Sequence, residues 1–125
     1  GALDVRLAVC GKPLRVIATH LGLRPAERRA QIARLLVQLE RDPAGLTAMM
    51  GDLNEWLLWG RPLRHLHAHF GQPPAPATFP SNWPVFALDR IWLEPRDQLR
   101  RVSVHDSRLA RCASDHLPLV AEIMV

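Results

Sequence analysis

The chain has 125 residues and a formal charge of +4, with 15 Arg and one Lys set against 12 acidic side chains. Hydrophobic residues make up 48%, enough for a packed core, which excludes a disordered chain and leaves room for one domain. No run of about 18 apolar residues occurs, and the N-terminal stretch GALDVRLAVC lacks the basic and apolar regions of a secretory signal, so a cytoplasmic chain with no transmembrane segment is expected.

Leu3, Val5, Leu7 and Val9 alternate with Asp4, Arg6 and Ala8, the period of a half-buried strand. Gly11, Lys12 and Pro13 are turn residues, and LRVIATHL over 14–21 is a second, more apolar strand, so the pair predicts a hairpin. Pro25 opens a helix in which Ile32, Leu35, Leu36 and Leu39 stand at i, i+3, i+4 and i+7. Glu27, Arg28, Arg29, Arg34 and Glu40 lie off that stripe, and DPAG over 42–45 ends the helix. LTAMM over 46–50 predicts a short apolar strand that stops at Gly51.

Leu63, Leu66 and Phe70 mark one face of a short second helix. Residues 71–84 hold five of the eleven prolines and predict a loop. FALDRIWLE over 86–94, RRVSVH over 100–105 and LPLVAEIMV over 117–125 predict three further strands. Six strands and two helices without strict βαβ alternation predict an α+β domain.

The polar interruptions fall at strand ends: His20, then Asp52 with Asn54, then Asp89 with Arg90, then Asp115 with His116. Strands that each deliver one or two polar groups to a common rim build binding and catalytic sites. Asp52 and Asn54 are two apart, so in extended backbone they face one side and offer hard oxygens to Mg²⁺, a water or a phosphate; a Gly-initiated turn explains the same tetrapeptide. His116 can carry a proton or hold a phosphate, and Asp89 suits it better as an orienting acid than its sequence neighbour Asp115. Taken alone, His20 at the tip of an apolar strand reads more readily as a hydrogen-bonded structural histidine than as a functional one.

The basic balance suits phosphate-bearing partners, and a solvated arginine-rich surface accounts for it as well. Cys10 and Cys112 lack metal spacing and read as plain thiols, although one bridge between them is compatible with the sequence. His65 and His69 share a helical face at i, i+4, a zinc spacing, but no acid or Cys stands near them in sequence. Trp92 reads as core, whereas Trp56, Trp59 and Trp83 lie in loop-like segments near the rim, where indoles stack on bases or sit in a lipid interface.

The ordered series THL, GDLN, TFPS, LDRI and SDHLP, read across residues 3–125, resembles the motifs of the endonuclease/exonuclease/phosphatase superfamily, whose fold is DNase I-like. The resemblance implies a Mg²⁺- or Mn²⁺-dependent phosphoesterase acting on nucleic acid, phospholipid or inositol phosphate. It implies that Asp52 positions or deprotonates the attacking water, that Asn54 holds that water or a phosphoryl oxygen, and that His116, oriented by Asp89, binds phosphate or transfers a proton. By the same resemblance His20 contacts the scissile phosphate, Asp52 serves the metal, Asp115 supports the metal or the His116 loop, and Asn54, Arg90 and Ser81 contact substrate; Trp56, from its place near the rim, is expected to bind substrate too.

The motifs match only the C-terminal half of that superfamily's four-layer αββα sandwich. The fold expected is therefore one mainly antiparallel sheet with helices on one face, and no residue here replaces the Glu that the other half supplies to the metal. A half-sandwich leaves one sheet face open, so a homodimer through that face and reduced metal affinity are expected. The other functional reading is a non-catalytic basic binding or assembly module that keeps the fold.

Overall fold

A computed structural model describes residues 1–125. Strands β1 (Ala2–Val9) and β2 (Lys12–His20) form the expected antiparallel hairpin. Its two-residue loop needs positive φ at both positions, and Cys10 at 50° and Gly11 at 76° provide it.

Helix α1 (Pro25–Arg41) then carries the chain across, so that β3 (Thr47–Asp52) lies parallel to β2. Helix α2 (Arg61–Phe70) and the proline-rich segment lead into β4 (Asp89–Glu94), which pairs antiparallel with β3. The sheet order is β1-β2-β3-β4, with two of its three pairings antiparallel. After a 3₁₀ turn at Arg96–Gln98, β5 (Leu99–Val104), helix α3 (Arg108–Ala113) and β6 (Leu119–Ile123) follow. β5 and β6 form a separate antiparallel ladder beside β4. Helix α3 has no apolar stripe, with Leu109 exposed and only Ala110 buried, and it is the element that periodicity does not reveal. No helix is long and apolar enough to cross a membrane.

Strand alternation divides the core in two. Ile17, Met49 and Trp92 leave the sheet on one face and pack against Ile32 and Leu39 of α1 and Leu63, Leu66 and Phe70 of α2. Both helices therefore cover that face alone. Leu14, Ala48 and Leu93 leave on the other face, where Leu99 and Ile123 of the β5–β6 ladder cover one end. Leu3 and Leu7 of β1 belong to this second face and stand 63% and 45% exposed. The uncovered sheet face expected from the sequence is present.

Arg28, placed off the α1 stripe by its charge, is buried on the core side. It stands four residues before Ile32, so the two share a helical face. Its Nη2 lies 3.4 Å from a carboxylate oxygen of buried Glu55, and its Nη1 donates to the Leu23 carbonyl at 2.6 Å. The other Glu55 oxygen accepts from the Leu57 backbone at 3.2 Å. This pair fastens the loop after β3 to the start of α1. Glu55→Ala is expected to destabilise the fold by about 3–5 kcal/mol, because it strands a buried guanidinium. In thermal melts the Arg28→Ala, Glu55→Ala double variant should lose less than the sum of the two single losses; strict additivity would mean that the contact carries nothing.

Candidate functional site

The ladder register sets His20, Asp52 and Asp89 side by side at one end of the sheet, since His20 pairs with Asp52 across β2–β3 and Asp52 with Asp89 across β3–β4. All three continue the row spacing of Ala18, Met50 and Ile91 on the face away from the helices. Gly51 permits this close approach. Its φ is +144°, and a Cβ there would fall 1.7 Å from the Thr19 carbonyl oxygen.

Asp52 is partly buried. One of its carboxylate oxygens accepts from the Asn54 backbone at 2.8 Å. The other faces two imidazoles, with His20 Nε2 at 3.5 Å and His116 Nε2 at 3.8 Å. His116, in the loop between α3 and β6, places its Nδ1 2.7 Å from Asp89. The same Asp89 oxygen accepts from the Thr78 hydroxyl at 2.5 Å. Asp89 thus fixes the ring and leaves Nε2 turned to Asp52. His20 is 74% exposed and reaches the rim from the opposite side.

Burial is the largest single influence on His116 and would lower its pKa. The hydrogen bond and charge of Asp89, with Asp52 and Asp115 behind, outweigh it and hold the pKa above the ordinary histidine value. The sign follows from linkage: the folded chain holds this proton more tightly than the unfolded one. The resulting stabilisation is complete below the ordinary histidine value and fades as pH rises through the folded one.

The other expected site residues fall out as follows. Asn54 adopts φ of +50°, donates its side-chain nitrogen to the Leu21 carbonyl at 2.7 Å, and so braces the ends of β2 and β3 from a buried position. Trp56 is half exposed and packs edge-on against Phe79 at 5.6 Å between ring centroids, and Phe79 in turn lies 4.9 Å from the His116 ring. Two residues expected at the substrate and one expected at the metal have their own places in the structure. Arg90 is buried, leaves β4 on the face opposite Asp89 by strand alternation, and donates to the Ala87 and Asp89 carbonyls. Ser81 is buried, with its hydroxyl on the Arg111 carbonyl at 3.3 Å and its N–H on the Asp115 carbonyl at 2.7 Å. The residue of TFPS that touches the site is Thr78, which the sequence marked only by sharing that tetrapeptide.

Asp52, Asp89 and His116 can bring one ligand atom each to within 4.8 Å of one another, and Asp115, exposed on its loop, is not in that group. Glu55, the one acid adjoining the motif, is committed to Arg28. His69 does find an acid, Glu94 at 3.5 Å, which the linear spacing of the helical histidines gave no sign of. Cys10 and Cys112 are both free and exposed.

A profile of the endonuclease/exonuclease/phosphatase family matches residues 2–116. The chain belongs to that family. It is 36% identical to the uncharacterized protein YbhP of Escherichia coli, over 98% of this chain and 52% of that protein. Among solved structures it resembles an endonuclease/exonuclease/phosphatase family protein from Leptotrichia buccalis, with a TM-score of 0.75 at 15% identity over 99% of this chain and 53% of that one. It also resembles a mutant beta toxin of Staphylococcus aureus solved with bound magnesium ions, with a TM-score of 0.64 at 16% identity over 99% and 59%. The chain spans about half the length of the relatives it matches. The fold is of the DNase I-like, phosphoesterase type.

Resolved titration of the His116 ring by NMR should place its midpoint above the ordinary value of about 6.5. Asp89→Asn should move that midpoint downward, because it removes the largest stabiliser of the imidazolium while burial remains. An unmoved midpoint would mean that Asp89 does not hold the proton.

Proposed function

We propose that this site hydrolyses a phosphoester, more readily a diester than a monoester, with a divalent cation of the Mg²⁺ or Mn²⁺ class. The single observation that carries the reading is the Asp52 carboxylate facing a histidine whose far nitrogen is held by a second acid. At 3.8 Å Asp52 and His116 are too far apart for a direct hydrogen bond, and a water or a phosphoryl oxygen set beside the pair can bond to both.

In this reading Asp52 takes a proton from water as the water oxygen bonds to phosphorus. The ester P–O bond breaks on the far side, and the leaving oxygen takes a proton from His116 Nε2. Asp89 accepts from Nδ1 and keeps the imidazolium oriented. His20 reaches in from the rim to bond a phosphoryl oxygen as negative charge gathers there. Asn54 serves by bracing the Asp52 turn, a positioning role rather than a contact with substrate.

Asp52 is the carboxylate that would hold a cation, with Asp89 second to it. Two carboxylates fit a metal that keeps several of its own waters, while His116, with Nδ1 donating to Asp89 and Nε2 carrying the transferable proton, would stay outside its coordination sphere. A bound cation would supply charge neutralisation at the phosphoryl oxygens.

Hydrolysis of bis-p-nitrophenyl phosphate with Mn²⁺ or Mg²⁺ tests the reading. Asp52→Ala and His116→Ala should each cost about 100-fold or more, and a chelator should abolish turnover. Identical slow traces from all three chains would instead favour the basic binding module.

We infer also that the open sheet face meets a second copy of the chain. Leu3 and Leu7 stand exposed on that face, and the same patch on a second copy would meet them across a two-fold axis. Light scattering is expected to give about twice the 14.1 kDa of one chain, and Leu3→Asp should return the particle to a single chain; a native particle of one chain's mass would remove the inference.

A further inference from the structure

Two loops beside the Asp52–His116 pair present large apolar side chains to solvent: Trp56, Leu57, Leu58 and Trp59 ahead of α2, and Trp83 and Val85 ahead of β4. Trp59 and Trp83 are 70% and 77% exposed. The Trp56 ring joins the loops, standing 4.8 Å from the Phe86 centroid and 5.6 Å from that of Phe79. Phe79 touches the His116 ring, so the apolar surface is continuous with the polar pocket. A contiguous surface of this kind marks an interaction site.

Neither loop carries an acid over 56–60 or 82–86. Beside the second loop stand exposed Asp115, whose carbonyl accepts from the Ser81 N–H, and Asp106, which is paired with Arg111 on the Asn82 carbonyl. Glu55, just before the first loop, is buried against Arg28. Arg61 follows Trp59 and Gly60 in sequence, and Arg24 precedes α1 at the Leu23 backbone that Arg28 binds; both arginines are exposed and neither enters an ion pair. Exposed apolar loops with unpaired Arg61 next to the first of them complement an anionic, amphiphilic partner.

We propose that this surface docks on an anionic phospholipid bilayer and so presents a lipid phosphodiester to the Asp52–His116 pocket. The indoles sit at headgroup level, Leu57, Leu58 and Val85 enter the upper acyl region, and Arg24 and Arg61 meet lipid phosphates. A single-stranded nucleic acid suits the surface less well, because bases stack on π faces and the three aliphatic side chains offer none. The docking stands on the exposed loops alone; the delivery of a lipid to chemistry rests on the phosphoester reading above.

Co-sedimentation of the native chain with vesicles of phosphatidylcholine and phosphatidylglycerol in equal parts, and of phosphatidylcholine alone, tests it. Retention is expected on the anionic vesicles, with a blue-shifted tryptophan emission. Trp59→Ser with Trp83→Ser should weaken retention by about tenfold or more, while Trp59→Leu with Trp83→Leu should keep most of it, because insertion needs an apolar side chain and not an aromatic one. Asp52→Ala should bind vesicles as the native chain does, so loss of chemistry and loss of docking are read separately. No retention on anionic vesicles would overturn the proposal. So would equal retention of the Ser variant, or a single-stranded oligonucleotide bound in preference to vesicles and released by the Leu variant.

Discussion

The strand register at the end of the sheet is the constraint on which the site depends. His20, Asp52 and Asp89 occupy one cross-strand row over β2, β3 and β4. Neighbouring strands lie about 4.8 Å apart, which brings three ionisable side chains to one place before any loop contributes. A slip of one residue in either pairing would turn Asp52 or its neighbours to the helix face, into the company of Met49 and Trp92. The helix-side core therefore defends the pocket indirectly: burying Ile17, Met49 and Trp92 fixes the alternation that aims the acids the other way.

Loops then finish what the register begins. His116 arrives from between α3 and β6, and Asp89 and Thr78 settle its ring by hydrogen bonding. Asn54 ties the Asp52 turn to the end of β2. The Arg28–Glu55 pair hangs the next loop from inside the helix layer, so an acid that could have enriched the pocket in hard oxygens is used to secure it. The pocket accordingly gathers three potential ligands, Asp52, Asp89 and His116, and not a closed cage of carboxylates.

Much of this is legible in the chain. Alternation in β1 and β2, the Ile32 to Leu39 stripe and the polar residues at strand ends each report a local backbone period, and the structure keeps them. What escapes reading depends on partners distant in sequence. Arg28 looks like surface because charge usually is, and only the proximity of Glu55, 27 residues away, allows its burial. Arg90 looks like a phosphate ligand beside Asp89, yet adjacent strand residues point to opposite faces. Thr78 and Ser81 share a tetrapeptide with no periodic signal, so nothing local distinguishes the one that meets Asp89 from the one that braces α3. Six-residue α3 is too short to show a stripe.

The crowding at Gly51 has an outcome for how such a molecule tolerates change. One methyl group there would meet the Thr19 carbonyl well inside contact distance, and β2 and β3 would have to separate to admit it. The separation would open the row between His20 and Asp52. A residue with no side-chain functional group would then behave in a mutational survey like a member of the reacting set, and its intolerance would record the spacing of two backbones rather than any side-chain chemistry of its own.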